Sequence, residues 1–276
     1  MSWSTRALDT LAAGPPTRLI DFPVRAPGVR LLLKDESGQP TGSLRHRHAR
    51  ALFRQAVLDG LVTEGTTVVE ATGGNAAVAQ AWFARRLGLP YIVVMPGRRD
   101  QARARAVEAL GGECRFVTPP LAIYDAARSI EGHFLDQFGR AAPHDSAYFP
   151  GWTLDVPDYA TGMPSRIEGI GRPRVEPGFR PDLVDLVVPV PDAASVAAAR
   201  HLREVTGLPV GGSSGTALWA ALELVERMRA RGESGTVVSL VGDAAERHLA
   251  TYHDDAWAAG KGLDVAGRLT ELRQRV

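Results

Sequence analysis

Two stretches of this sequence run from a strand-like segment through glycines into a helical pattern, an order of residues that can hold an anion. In the first, VVEATGGNAAVAQAWFARRLG at 68–88, a β-branched run empties into a glycine turn and then into an amphipathic stretch. A helix that begins there leaves its first N–H groups without intrahelical acceptors, and its dipole adds positive potential at the same end. Thr72, Gly73, Gly74 and Asn75 are therefore candidate contacts for a carboxylate or phosphate. A plain strand-to-helix turn has the same pattern, so this segment alone leaves both readings open. The second stretch, VGGSSGTALWAALELV from Val210, has the same form and makes Gly212, Ser213 and Ser214 a second candidate cradle.

A third segment, PTGSLRHRHARALF at 40–53, carries an unusual cation. On a helical wheel Leu52, Ala56, Ala49 and Phe53 share one arc, and Arg47, Arg50 and Arg54 lie opposite. Arg45 falls inside the apolar arc, in the first helical turn. A guanidinium there is unfavourable at the positive end of the helix dipole unless an anion or carboxylate meets it. Arg45 is thus either a ligand contact or one half of a structural ion pair. His46 and His48 are two residues apart and diverge around the helix, so they do not form the i,i+4 pair of a metal site. The single cysteine, Cys114, excludes an intramolecular disulfide and a multi-cysteine metal cluster, and its apolar strand context marks it as core. No Walker loop, nucleophile elbow, zinc-protease helix or dinucleotide fingerprint occurs, and the spacing singles out no catalytic residue and no metal ligand.

The elements that position these segments alternate. Strands are expected at 29–34, 66–70, 91–95 and 114–117, and helices at 43–59, 74–87, 100–110 and 122–138, the pattern of an α/β fold with a parallel sheet. Ser43 and Asp100 stand where N-caps belong, and Gly60, Gly88 and Gly111 where helices end. A stretch rich in proline and glycine, 139–181, separates this region from a second one. There a strand is expected at 183–188, a helix capped by Asp192, a helix from about Thr216, a strand at 236–241 and a helix after Asp243.

The chain has 276 residues, enough for one large or two small domains, and 45% hydrophobic against 23% charged residues is a globular composition. A formal charge of +1 gives no bulk electrostatic case for nucleic acid or an anionic membrane. The first residues lack a basic and apolar leader pattern, and no run is apolar enough to span a bilayer, so a cytoplasmic protein is expected. Among 32 basic residues only Lys34 and Lys261 are lysines, which leaves two candidates for any lysine chemistry.

In this order the segments resemble the pyridoxal-phosphate enzymes of the tryptophan-synthase-β fold, and within them the cysteine synthase and cysteine desulfhydrase group. LLLKDESGQPTGSLRHRHARALF resembles that family's first active-site segment, and EATGGNAAVAQAWFARRLGLPYIVVMP its substrate-carboxylate loop. RIEGIGRPRVEPGF, PDAASVAAARHL, GGSSGTALWAALEL and VVSLVGDAAERHLATY resemble its later segments. The resemblance covers nearly the whole chain. It implies a two-lobed α/β scaffold, with a smaller domain at 40–139 and a larger, shortened one from 1–39 and 140–276.

Three departures accompany it. The family lysine that carries the cofactor as a Schiff base, two residues after the serine of PTGS, is matched by Arg45. A guanidinium stays protonated and is a poor nucleophile. The group that meets the cofactor's ring nitrogen is matched by Ala244, with Asp243 one residue away. The glycine-rich phosphate cradle is missing, because LDQFGRAAPHDSAYFPGW runs directly from Leu135 to Trp152; a strand–helix–strand piece of roughly 30 residues or more is expected to be absent. Thr72, Gly73, Gly74 and Asn75 keep the match to the carboxylate loop, although Gly73 and Ala76 replace family hydroxyls, and Asn75 matches the residue at the cofactor's phenolic oxygen. Lys34 shares the family's Lys-Asp-Glu context, where the lysine does not hold the cofactor.

These features imply a degenerate cysteine-synthase-like protein that acts as a binder of a small amino-acid-like anion or as a partner subunit, in a homodimer or with an active homologue. No cofactor is expected on this reading, pyridoxal phosphate entering through the resemblance alone. The alternative is a working pyridoxal-phosphate enzyme of β-elimination or β-replacement in cysteine metabolism.

Overall fold

The computed structural model describes residues 1–119, 122–137, 165–168, 170, 181–246 and 248–275. In chain order its elements are α1 (Trp3–Thr10), β1 (Leu19–Phe22), β2 (Val29–Asp35), α2 (Arg45–Leu58), β3 (Val68–Ala71), α3 (Asn75–Leu87), β4 (Tyr91–Pro96), α4 (Gln101–Glu108), β5 (Glu113–Val117), α5 (Ile123–Arg128), β6 (His133–Phe134), α6 (Asp192–Thr206), α7 (Gly212–Ala230), β7 (Gly235–Val241), α8 (Asp255–Gly260) and α9 (Val265–Arg275), with short 3-10 turns at Glu36–Gly38 and Pro181–Leu183. They divide into two units, residues 1–15 with 43–144 and residues 16–42 with 145–276. No helix among the described residues is long and apolar enough to cross a membrane.

The first unit is built on a four-stranded sheet in the order β5-β4-β3-β6, parallel at every pairing. All four residues of β3 are buried, as a central parallel strand covered on both faces requires. The alanines of α3 let it lie close to its neighbours, and Phe53, Phe83, Met95 and Leu135 fill the core between helices and sheet. Ala7 and Leu11 of the N-terminal segment are buried in that same core, and Trp3 Nε1 donates to Leu87 O at 3.3 Å. Residues 1–15 therefore group with the smaller unit, not with the larger one to which the sequence reading assigned them.

Asp100 caps α4 as expected, its Oδ1 accepting from Ala102 N and Arg103 N. At α2 the N-cap position falls on Leu44, and Ser43 Oγ instead accepts the N–H of Arg45 at 3.0 Å. The helix expected over 122–138 is confined to Ile123–Arg128. Gly132, at φ 146°, turns the chain so close to Thr67 O that a side chain would overlap it, and β6 then pairs with β3.

In the second unit β1, β2 and β7 form a sheet in that order, antiparallel between β1 and β2 and parallel between β2 and β7. Its inner face, with Leu31, Leu33, Val237 and Val241, packs against Leu202 of α6 and Leu218 and Leu222 of α7. Four expectations change here. Helix α7 begins at Gly212, so Gly211 is its N-cap and GSSG forms its first turn. Residues 183–188 form no strand, for the described sheet offers them no partner, and Leu183 and Leu186 stay exposed. Among the described residues no helix directly follows Asp243; the next begins at Asp255. Asp192 is the first residue of α6 and not its cap, and its carboxylate accepts from Ser165 Oγ and Arg166 N, both at 2.6 Å. The direct run from 138 to 152, where the missing piece is expected, lies outside the described residues.

Candidate functional site

The turn between β3 and α3 is the stronger of the two candidate cradles. Thr72 N–H continues the β3–β4 ladder to Val94 O at 3.0 Å, and Ala77 N–H closes on Gly74 O at 3.0 Å. Between them the N–H groups of Gly73, Gly74 and Ala76 meet no backbone carbonyl among the described residues. They stand at the start of a 13-residue helix, where the dipole favours an anion. Thr72 is buried, and Gly73, Gly74 and Asn75 are half-buried.

Two neighbours of this turn were invisible to the sequence reading. Gln137 is 1% exposed, and its Nε2 has no hydrogen-bond partner among the described residues. Its backbone N–H donates to Glu70 Oε2 at 3.1 Å, near the end of β3, while Glu70 Oε1 accepts from Ala71 N–H at 2.8 Å. A buried donor left unmatched costs stability, and such groups in native folds usually await a partner. Arg103 of α4 is the other neighbour. Its Nη1 would be 3.9 Å from a Cβ at Gly73, and it also pairs with Asp100 at 3.5 Å. The sequence showed Arg103 only as one of several charges on a solvated helix face. Gln137 lies in the LDQF run, which the sequence places at the end of a helix over 122–138, so nothing local marked it.

Arg45 opens α2 in the same unit and is half-buried. His46 next to it is buried between Trp82 and Phe83, with ring centroids 4.7 Å from each. Burial, reinforced by Arg50, Arg47 and Arg86, pushes its pKa down to about 4, so His46 is an uncharged core ring. Among the described residues no group of His, Cys, Asp and Glu could hold a metal ion. Cys114 is buried on β5, and burial raises its thiol to about 11, consistent with a packed and unreactive cysteine.

Gly212, Ser213 and Ser214 stand in the other unit and are occupied by packing. A Cβ at Gly212 would be 3.0 Å from Ile167 and 3.1 Å from Tyr252. Ser214 is buried, and its Oγ accepts the N–H of Gly242 at 3.0 Å. Gly211 N–H donates to Asp243 O and Ser214 N–H to Gly211 O, each at 3.1 Å. Ser213 is half-buried. Next to this turn Asp243 keeps Oδ1 buried and without a partner among the described residues, and Ala244 offers only a methyl group.

A model of the pyridoxal-phosphate dependent enzyme family matches residues 11–151. Over 98% of its length the chain is 37% identical to an L-cysteine desulfhydrase of Mycobacterium tuberculosis, of which 94% is covered. The chain belongs to the pyridoxal-phosphate dependent enzyme family. It is also 26% identical to a cysteine synthase of Aquifex aeolicus, over 81% of this chain and 83% of the relative. Solved structures with the same fold include an O-ureido-L-serine synthase, 22% identical with a TM-score of 0.72 over 92% of this chain and 98% of that one. A cysteine synthase of Entamoeba histolytica, also 22% identical, superimposes with a TM-score of 0.73 over 89% of each chain. The alignment with the desulfhydrase runs over 344 positions against the 276 residues of this chain, so at least 68 of its positions hold residues of the relative alone.

The described residues of this family member do not fit pyridoxal phosphate held as a Schiff base. That bond needs a primary amine, and position 45 supplies a guanidinium. Lys34, at the end of β2, donates its Nζ to the carbonyl of Thr17, and Lys261 is exposed in the turn after α8. Neither lysine belongs to the unit that holds Arg45 and the Thr72–Asn75 turn.

Proposed function

We propose that this chain recognises a small amino acid of the cysteine and O-substituted serine class through its α-carboxylate, without holding a cofactor as a Schiff base. The observation that carries this reading is the set of donors at the start of α3. The N–H groups of Gly73, Gly74 and Ala76 stand uncovered just after β3, and Gln137, whose backbone is held by Glu70 of that strand, keeps a buried Nε2 unmatched. The names of the relatives, a cysteine desulfhydrase and cysteine synthases, supply the class of amino acid. Arg45 in place of an amine separates recognition from Schiff-base chemistry. A partner subunit, either a second copy or an active homologue, and a cytoplasmic setting belong to the same proposal; light scattering alone and with a homologue tests the partner.

Calorimetry with L-serine and absorbance after incubation with pyridoxal phosphate test the reading together. Heat of binding from L-serine, with no near-visible band that survives gel filtration and is removed by borohydride, is the expected result. Arg45→Lys alone should leave the protein colourless. A persistent borohydride-sensitive band in the unaltered protein overturns the reading.

One observation favours a second reading, a β-eliminating or β-replacing enzyme of cysteine metabolism. The chain is 37% identical to an L-cysteine desulfhydrase along almost its whole length, and this speaks for the activity of the group more directly than for its loss. Sulfide release from L-cysteine in the presence of pyridoxal phosphate, retained after gel filtration, would establish it.

A further inference from the structure

We propose that Glu70 is a positioning residue that couples anion binding at the Thr72–Asn75 turn to the uptake of one proton. The inference rests on the carboxylate site proposed above and adds a condition to it.

Glu70 lies in β3, wholly buried, one residue before the strand ends. Its carboxyl group gathers three donors: Ala71 N–H on Oε1 at 2.8 Å, and Gln80 Nε2 and Gln137 N–H on Oε2, each at 3.1 Å. The orientation of Gln80 is fixed by Tyr91, whose hydroxyl donates to Gln80 Oε1 at 2.8 Å and leaves the amide N–H₂ for Glu70. These partners connect Glu70 to the strand and helix that flank the anion turn. Ala71 precedes Thr72, Gln80 is on α3, and Gln137 carries the unmatched Nε2.

An ionised Glu70 satisfies all three donors, but it also puts a buried negative charge at the foot of a turn shaped for an anion. A carboxylate arriving at that turn faces a like charge in a medium that screens it poorly. Neutralising Glu70 with a proton from solvent removes the repulsion and forms no bond to the ligand. The group is poised for this exchange. Burial pushes its carboxyl up to about 7 against the three hydrogen bonds, and Asp136 nearby pushes the same way.

Tyr91, Cys114 and Arg103 do not take over that role. The Tyr91 hydroxyl on β4 is held far above its usual range by burial, and Cys114 on β5 is raised to about 11, so both stay neutral. Arg103 on α4 approaches Gly73 with a guanidinium that also pairs with Asp100.

Calorimetry of the full chain with L-serine, in buffers of different ionisation enthalpy at about pH 7.5, reads the proton directly. The expected result is uptake approaching one proton, with affinity for L-serine falling roughly threefold or more from pH 6 to pH 8. Carbon-13 spectra of the Glu70 carboxyl with and without L-serine should show its titration moving to higher pH, and this needs no variant. Glu70→Gln, where it folds, should bind with no proton uptake and a flat pH profile. Binding without proton uptake, or an unmoved Glu70 titration, overturns this inference alone. No binding at any pH removes the carboxylate site and the coupling with it.

Discussion

At the turn after β3, three N–H groups meet no backbone carbonyl among the described residues, and Gln137, held to Glu70 of β3 by its backbone, keeps its side-chain amide unmatched there. At the turn that opens α7, the side-chain space is taken. A Cβ at Gly215 would overlap Ser195 O and come within 2.6 Å of Ala199 N, and Ser214 Oγ is used by Gly242 N–H. Both turns read as glycines leading into a helix, yet the glycines serve different ends. In the first they leave donors uncovered, and in the second they let α6 and α7 meet backbone to backbone. A glycine-rich turn is therefore a ligand site only where the surrounding residues have left its donors unused.

The comparison predicts opposite costs at the two turns. Gly215→Val should be the most damaging change, because its side chain must force α6 and α7 apart, and these helices carry much of the core of the second unit. About 3 kcal/mol or more of lost stability is expected in a urea melt, with L-serine binding intact at temperatures where the chain stays folded. Ser214→Ala should follow at about 2 kcal/mol, since it strands the buried Gly242 N–H, and it too should leave binding unchanged. If either change abolished binding in folded protein, the second turn would be a ligand site and the contrast would fail.

A smaller effect separates the turns by pH. Glu70 has a folded pKa of about 7, raised from the carboxylate value of 4.5. The folded state therefore binds the proton more tightly than the unfolded chain between those limits. Its contribution to stability is fully present below pH 4.5 and is lost as pH rises through 7. The difference in unfolding free energy between the unaltered chain and Glu70→Gln, from urea melts, should shift against the unaltered chain from pH 5 to pH 8 by on the order of 2 kcal/mol. Ser214→Ala should show no such pH dependence, as no ionisable group is part of its hydrogen bond.

How far the site was legible follows from how its parts are spaced. The strand, turn and helix over 68–88 could be read directly, because a β-branched run and an alanine-rich amphipathic stretch are local signals. Arg45 at the family's lysine position was equally plain, being a matter of residue type. Gln137 was not legible: it reaches the turn only by hydrogen-bonding to Glu70, 67 residues earlier, after Gly132 has bent the chain back beside β3. Arg103 was missed for the same reason, since its approach to Gly73 depends on how α4 lies against the end of β4. The start of α7 was misjudged because packing against α6 overrides the poor helix propensity of Gly212 and Gly215.

The smallest predicted change in stability is also the sharpest on the role of the first turn. Gln137→Leu keeps the backbone N–H that holds Glu70 and removes only the side-chain amide, whose Nε2 has no partner among the described residues. Deleting an unmatched buried donor should leave the fold as stable as before, or more stable by about 1 kcal/mol. If that amide awaits a carboxylate, the same change should weaken L-serine binding roughly fivefold, about the worth of one hydrogen bond. Stability unchanged with affinity lost would mean that the protein tolerates an unsatisfied group for the sake of a ligand. If affinity is unchanged instead, Gln137 is merely a buried packing residue, and the backbone N–H groups at the start of α3 must bind the anion without it.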